Sequence, residues 1–504
     1  MTTDSPAAAR IADRRAISPA ELTGQAAALL DDGFRVALIA GHQDPGGALR
    51  AVYLFTAPAD RRAELHVRLD RARPRVPSLA GLSFPAGRFE REMRDLYGIV
   101  PEGHPLPRRL VRHFHWPRGW YPMLAGAGDP PGFGDTDGPY PFRVVEGPGV
   151  HEIPVGPVHA GMIGPGHFRF SVAGETILNL KARLWFTHRG IEKLFAVRDP
   201  RHALELAERV SGDTAVGHSL AFCLAVEDAL GLDVPAPEQQ IRGMLLELER
   251  LYNHVADIGA LCNDAGHAIL NSHASRIREQ LLRVNDAVTG HRLLRGAIHP
   301  GGAVIRAAPD PGQLAAIAAG ITEITALALG HSVVRDRFAG TATLTAAQAE
   351  GLGTLGYVAR ASGLSTDARH DHPLPGVRFP RISYTQATGD VLARFLARAE
   401  ETGPAVSFIT DTARRLDGHL GAAPAGRTWE PGTARSGTGI TEGWRGTIVH
   451  RAELAPDGTL TRVKIADPSF FNWPALPVAL SGTIVPDFPL ANKSFNLSYP
   501  GNDL

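Results

Sequence analysis

The chain has 504 residues, a formal net charge of zero and only two cysteines. With 44% apolar and 21% charged residues it falls outside the disordered classes, and without a CxxC pair it can by itself hold neither a cysteine-bound zinc nor an iron–sulfur cluster, nor form a disulfide scaffold. The zero is a sum of unlike parts: residues 1–120 carry 18 Lys/Arg against 13 Asp/Glu and the remainder 34 against 39, and neither imbalance is the clustered basic face that nucleic-acid binding requires.

Residues 1–14 contain no apolar core of a signal peptide and read as a flexible N-terminus. A short helix is expected over 18–32 after Ser18-Pro19, where Ser caps and Pro fits the first turn. Strand-like runs follow at Phe34–Ala40 and Ala51–Phe55 around the turn Asp44-Pro45-Gly46-Gly47. Helices are expected at Arg61–Arg71 and Phe89–Tyr97, giving a small α+β domain over 15–122. Residues 123–149 are rich in Gly, Pro and Asp and read as a linker. A hairpin is expected around Ala173-Gly174-Glu175, and after it helices dominate, at Pro200–Leu230, Pro237–Leu261, Ala274–Arg295 and Pro311–Val334. In the second, Met244, Leu248, Leu251, Val255 and Ile258 form one stripe at spacings of 4 and 3, which needs partner helices and predicts a bundle. Leu314–Val334 reads as a buried core helix rather than a membrane span. Another helix lies within 385–420, strand pieces at Gly446–Arg451 and Leu460–Ile465, and an irregular tail over 471–504. The fold class is therefore α+β: a small α+β domain followed by a mainly α-helical bundle core over 150–470, with small β elements.

Five constellations carry polar chemistry, and spacing alone gives each a plain structural reading. Glu90, Arg91, Glu92, Arg94 and Asp95 suit a solvated, ion-paired helix stopped by Gly98. Gly156-Pro157-Val158-His159 and Gly166-His167-Phe168-Arg169 form a turn presenting imidazoles without metal-ligand spacing. His188-Arg189-Gly190-Ile191-Glu192-Lys193 suits either a helix-terminus ion pair or a buried proton-handling carboxylate. Glu208-Arg209-Val210-Ser211-Gly212-Asp213-Thr214 with His218 gathers hydroxyl, carboxyl and imidazole groups, but no nucleophile elbow surrounds Ser211, which argues against a hydrolase. Asp467-Pro468-Ser469-Phe470-Phe471-Asn472-Trp473 reads as an aromatic plug on an Asp-Pro turn.

Taken in order, these motifs resemble a known family. Residues 15–122, through Glu90-Arg91-Glu92, Asp95-Leu96-Tyr97-Gly98, Gly103-His104-Pro105, Arg108-Arg109 and Tyr121-Pro122, are similar to the C-type subunit of respiratory complex I (NADH–quinone oxidoreductase). Residues 150–470 resemble its D-type subunit and, more closely, the large subunit of membrane-bound group 4 [NiFe] hydrogenases such as formate hydrogenlyase. The carriers there are the imidazole turn, His188–Lys193, Glu208-Arg209-Val210 with His218, Glu249-Arg250 with Asn253-His254, Pro300-Gly301-Gly302, Arg360-Ala361-Ser362-Gly363 with Asp367 and Arg369, and Glu442-Gly443-Trp444-Arg445-Gly446. The +5 and −5 charge halves divide near the boundary between the two fused parts.

The departure from the family is specific. Group 4 hydrogenases hold nickel and iron with four cysteines, and these positions here read Ser211, Thr214, Ser469 and Asn472. Cys223 and Cys262 match no motif position. The combination resembles energy-converting hydrogenase-related complexes that keep the subunit plan without the metal ligands, and it implies no NiFe centre and no hydrogen production. The second histidine of complex I's quinone turn is Ile163 here, which leaves His159 as the remaining candidate donor. The resemblance implies a peripheral-arm large subunit of a membrane redox complex coupled to proton or cation translocation. Glu192 would relay protons, Arg189, Arg209 and Arg369 would stabilise charge, and His159, His218 and Asp467 would line the former metal cavity. His159, His167 and Arg369 would bind a quinone or another small acceptor. The implied partners are an iron–sulfur small subunit of the complex I B-type with a [4Fe-4S] cluster, a ferredoxin-like subunit and antiporter-like membrane subunits, with no nucleic acid. The expected place is the cytoplasmic face of the inner or plasma membrane. Two other readings are a non-catalytic structural subunit that couples the arms, and a hydrogenase with atypical ligands.

Overall fold

The computed structural model describes residues 13–134, 137–159, 163–422 and 435–504 and divides into two units, Met1–Phe142 with Lys464–Ala466, and Arg143–Val463 with Asp467–Leu504. In the first, β1 (Asp13–Ile17), β2 (Arg35–Gln43), β3 (Leu49–Ala57) and β4 (Arg61–Leu69) form a sheet in the order β1-β4-β3-β2, and α1 (Leu22–Asp31) connects β1 to β2. β4 lies where a helix is expected over Arg61–Arg71. Its Ala63, Leu65, Val67 and Leu69 are buried at every second position, and period 2 places them on one sheet face where a helix would scatter them.

The helix α2 (Phe84–Tyr97) packs on β2, where Gly41 is required because a Cβ there would stand 2.8 Å from the Tyr97 ring. Its charged residues are not the solvated face that spacing suggests. Glu90 accepts from Leu79 N and Ser78 Oγ at 2.6 Å, and Asp95 accepts from Leu110 N (2.7 Å) and Val111 N (2.9 Å). These carboxylates satisfy loop backbone that would otherwise be buried without partners. Residues 123–149 form no helix or strand among those described.

The second unit begins with the expected hairpin, extended to a three-stranded sheet of β5 (Val150–Val155), β6 (His167–Ala173) and β7 (Thr176–Arg183). The pattern over 200–230 is not one helix. It breaks into α3 (Pro200–Ala207) and α4 (Ala215–Leu230), with the Ser211–Thr214 turn between them. The bundle is α5 (Ala236–Asp264), α6 (Ala268–Thr289), α7 (Pro311–Gly330) and α8 (Val391–Leu416). The α5 stripe is buried as expected, and so are Leu245 and Leu246 off the stripe, because α5 is the central helix of the core. The expectation that α7 is a buried helix holds for one face only. Leu314, Ile317, Ile321 and Ile324 point inward, while Ala315, Ala319, Thr322 and Ala326 are exposed. Among the described residues α7 is the one helix long and apolar enough to cross a membrane, with 28% of its most apolar window buried.

Three strands close the core: β8 (Arg435–Gly443), β9 (Gly446–Leu454) and β10 (Leu460–Ala466). β8 presents glycine at alternate positions to α4. A Cβ on Gly439 would fall 1.9 Å from Ala221 O, and one on Gly437 2.3 Å from Ala225 O, so helix backbone rests directly on strand backbone. The expected irregular tail is instead helical, ending in α9 (Pro468–Asn472), a helix over Ala475–Ala479, α10 (Phe488–Phe495) and α11 (Tyr499–Asp503), with Phe495, Tyr499 and Leu504 buried. Its proline and asparagine content marks helix starts and turns here rather than disorder.

Candidate functional site

The four positions that the resemblance assigns to metal ligands meet in one buried place, and each side chain is hydrogen-bonded within the chain. Ser211 and Thr214 lie in the turn before α4, while Ser469 and Asn472 lie on α9, whose N-cap is Asp467 (Oδ1 to Ser469 N, 2.7 Å). Ser211 Oγ meets Ser498 Oγ at 2.8 Å and donates to Asp213 at 2.9 Å. Ser469 Oγ accepts from Ser498 N at 2.9 Å, so one residue of the C-terminal segment bridges both halves. Thr214 Oγ1 accepts from Trp444 Nε1 at 3.2 Å. The Asn472 amide pairs with both backbone groups of Leu355, accepting from N at 2.8 Å and donating to O at 3.0 Å.

These residues do not fit a nickel–iron centre. Neutral hydroxyls and an amide lack the soft, bridging sulfur such a centre needs, and each of them already carries a hydrogen bond within the chain. The nearest strong charge is instead a side-chain pair, in which Arg445 binds both oxygens of Asp213 at 2.7 Å and also donates to Asn496 O at 2.6 Å. Burial opposes the charge on Asp213, but that bidentate fork outweighs it and holds the carboxyl well below the usual carboxylate range.

Beside this cluster lies a buried chain of three groups. Asp467 Oδ2 is 3.0 Å from His218 Nε2, and His218 Nδ1 is 3.0 Å from His450 Nε2. Burial works against the Asp467 charge, but the bonds from His218 and Ser469 N outweigh it and hold the carboxyl below its ordinary value. Burial and then the neighbouring His218 push the His450 imidazole well down, which keeps it neutral.

The N-terminus of α4 is closed from outside its own sequence. Thr214 makes no capping bond, and Glu249 on α5 accepts from Val216 N (2.7 Å) and Gly217 N (3.0 Å). Burial pushes Glu249 from its ordinary 4.5 to about 8, the backbone bonds resisting and Asp213 adding to the rise. Between those values the folded chain holds a proton that the unfolded chain releases. That contribution is complete below about pH 4.5 and lost as the pH climbs to about 8. Glu249→Gln should therefore flatten the alkaline decline of stability relative to the wild type, read as urea midpoints at pH 5, 7 and 9. Parallel curves for the two proteins would refute it.

The other residues singled out from the sequence disperse. Glu192 is buried in an ion pair with Arg462 (2.7 Å). Arg189 donates to Val210 O (2.9 Å) and so braces the Ser211 turn rather than Glu192. Arg209 does not join them: its side chain is about half exposed and pairs with Glu205 at 3.3 Å, because it faces outward from the end of α3. Arg369 sits in a separate buried cluster, bound to Asp367 at 2.6 Å. His159 Nε2 donates to Gly166 O (2.8 Å) and His167 Nδ1 donates to Gly156 O (3.1 Å), so the two imidazoles stitch one loop. That loop touches the cluster through Tyr499, whose ring lies where a Cβ on Gly164 or Gly166 would stand. Residues missed from the sequence are Asp213, Glu249, His450 and Ser498. Glu249 and Asp213 lie inside recognisable motifs, whereas nothing local marks His450 or Ser498.

A small sheet domain, a central helical core and a buried turn-to-helix cluster define the class of large subunits shared by complex I and membrane-bound hydrogenases. Residues 16–125 match the respiratory-chain NADH dehydrogenase 30 Kd subunit, 189–262 the nickel-dependent hydrogenase family and 264–434 the respiratory-chain NADH dehydrogenase 49 Kd subunit. Formate hydrogenlyase subunit 5 of Escherichia coli is 32% identical over 87% of this chain and 79% of its own length. Hydrogenase-4 component G of the same organism is 30% identical over 85% of this chain and 75% of its own. The chain belongs to this family of complex I-related hydrogenase and oxidoreductase large subunits, as its motifs imply. The archaeal membrane-bound sulfane sulfur reductase, a respiratory membrane complex, shares the fold, with a TM-score of 0.61 at 22% identity over 70% of this chain and 98% of that one.

Proposed function

We propose that this chain is the peripheral-arm large subunit of a membrane-bound, complex I-related oxidoreductase that performs no hydrogen chemistry. Electrons would come from a [4Fe-4S] cluster in a B-type small subunit, with a ferredoxin-like subunit upstream and antiporter-like subunits in the membrane, and would pass to a quinone or another small acceptor. One observation carries this reading: Ser211, Thr214, Ser469 and Asn472, the residues that the resemblance puts in place of the four thiolates, are all hydrogen-bonded within the chain. In this reading Glu192 takes up a proton beside Arg462, Arg189 holds the Ser211 turn, His159 and His167 bind the acceptor, and the buried His218 and Asp467 line the former metal cavity.

The complex purified in mild detergent tests it. Metal analysis should find iron without nickel, hydrogen evolution from reduced viologen should be absent, and a water-soluble quinone analogue should be reduced. One nickel per chain overturns the reading. The same internal bonds favour a second reading, a structural subunit that couples the arms without touching substrate. Glu192→Gln separates the two: coupled turnover collapses if Glu192 relays protons and persists if the chain is only structural.

A further inference from the structure

Arg360, Arg369, Asp367 and Glu442 are motif residues, and the redox reading uses none of them except Arg369. Together with Arg250, Glu247 and Glu401 they form one cluster in the second unit, all of it buried. Arg360 on the helix Gly356–Ala361 donates to Glu442 Oε1 (2.7 Å) and Glu401 Oε1 (3.0 Å) and stands 3.6 Å from Asp367. Arg250 binds Glu247 (3.1 Å) and Glu401 (3.2 Å), while Arg369 binds Asp367 (2.6 Å) and approaches Glu247 (3.5 Å). The nearby Arg398 bonds Asp257 (2.9 Å), which Lys493 also approaches (3.3 Å), and its other bonds go to the backbone oxygens of Arg394 and Ser494, so it binds no carboxylate of the cluster.

Three guanidiniums thus face four carboxylates. A buried net charge of one is expensive, and taking up one proton removes it. The group that takes it is the least supported carboxylate. Glu401 accepts from Arg250, Arg360, His254 (2.8 Å) and Tyr384 (3.0 Å), which favours its ionised form. Asp367 has two guanidiniums, and Glu247 has Arg250 with Arg369 beyond it. Glu442 has only the shared Arg360, with Ala368 N (3.0 Å) and the Thr447 hydroxyl (2.9 Å) on its second oxygen. That hydroxyl can turn and accept an acid proton. The competing seat, His254, is flanked by Arg250 and Arg398, and its Nδ1 has no hydrogen-bond partner among the described residues.

We propose that this cluster is a buried proton-binding site holding one exchangeable proton on Glu442. The cluster's charge balance and distances hold whether or not the chain carries out the redox reaction proposed above. The direction of the Glu442 shift, upward through burial and then Asp367, agrees with it. Glu442 opens the tight turn Gly443–Gly446, which carries Trp444 and Arg445 onto Asp213 and Thr214. Loss of the proton would therefore be felt where the thiolate positions lie.

Infrared spectra of the purified full-length chain test the site, comparing wild type with Glu442→Gln. At neutral pH the difference spectrum should contain the C=O band of one protonated carboxyl, shifted in D2O and fading as the pH is raised. The variant should fold normally, because glutamine mimics the neutral acid. Carboxylate bands in that difference place the proton elsewhere and overturn the proposal, and so does a variant that fails to fold.

Discussion

Arg360→Met should unfold the second unit at neutral pH or leave it about 3–5 kcal/mol less stable, the usual outcome of removing one partner from a buried ion pair. The side chain is 2% exposed and touches three carboxylates, all of them buried. Methionine keeps much of the volume, so the loss reports charge and not a cavity. The companion measurement is the double variant Arg360→Met/Glu401→Gln. Removing one of the stranded charges should restore part of the urea midpoint, because residues in one network are strongly non-additive. If the single variant matches the wild type midpoint, the cluster is not charge-compensated.

Gly439→Ala is the second large effect expected. The new methyl group would lie 1.9 Å from Ala221 O and 2.6 Å from Ala225 N, both backbone atoms of α4. Backbone within a helix cannot rotate aside as a flexible side chain can, so strand and helix must separate, at a cost of about 3 kcal/mol. The same movement pulls His218 on α4 away from His450 on β9 and stretches their 3.0 Å hydrogen bond. A control lies in the same unit at Gly351 on the helix Ala346–Leu352, where a Cβ meets nothing within 4 Å. Gly351→Ala should be neutral or stabilising by up to about 1 kcal/mol through helix propensity. The Gly439→Ala melt should fall while the Gly351→Ala melt holds or rises. A Gly439→Ala melt equal to wild type would mean that β8 and α4 are not packed backbone to backbone.

Much of this arrangement is legible in the sequence, for identifiable reasons. The α5 stripe can be read because Met244 to Ile258 repeat at helical spacing and really do face the core. Motif order points to the family even though its best-known feature, the cysteines, is missing. β4 misleads because charged residues at 61, 62, 64 and 68 suggest a helix surface, while the alternating Ala63, Leu65 and Val67 carry the true signal. Arg209 looks like a cavity residue because it neighbours Ser211 in sequence, yet the helix end turns its side chain outward. The partners that fill the cluster are out of reach for the opposite reason. Ser498 lies 287 residues from Ser211 and His450 lies 232 from His218, and no local pattern encodes such closures.

The Asn472 amide has a meaning beyond its misfit to a metal. It pairs with Leu355 N and O as one peptide group pairs with another across a sheet. Exchanging that residue alone for cysteine would leave a donor and an acceptor buried without partners, each worth about 1–3 kcal/mol. Ser211 and Ser469 are likewise joined through Ser498. A path from this chain to a four-thiolate one therefore has no neutral single steps. Each thiol arrives before the metal that would justify it and breaks a bond already in use, so the present chemistry is locked in by its own hydrogen bonding.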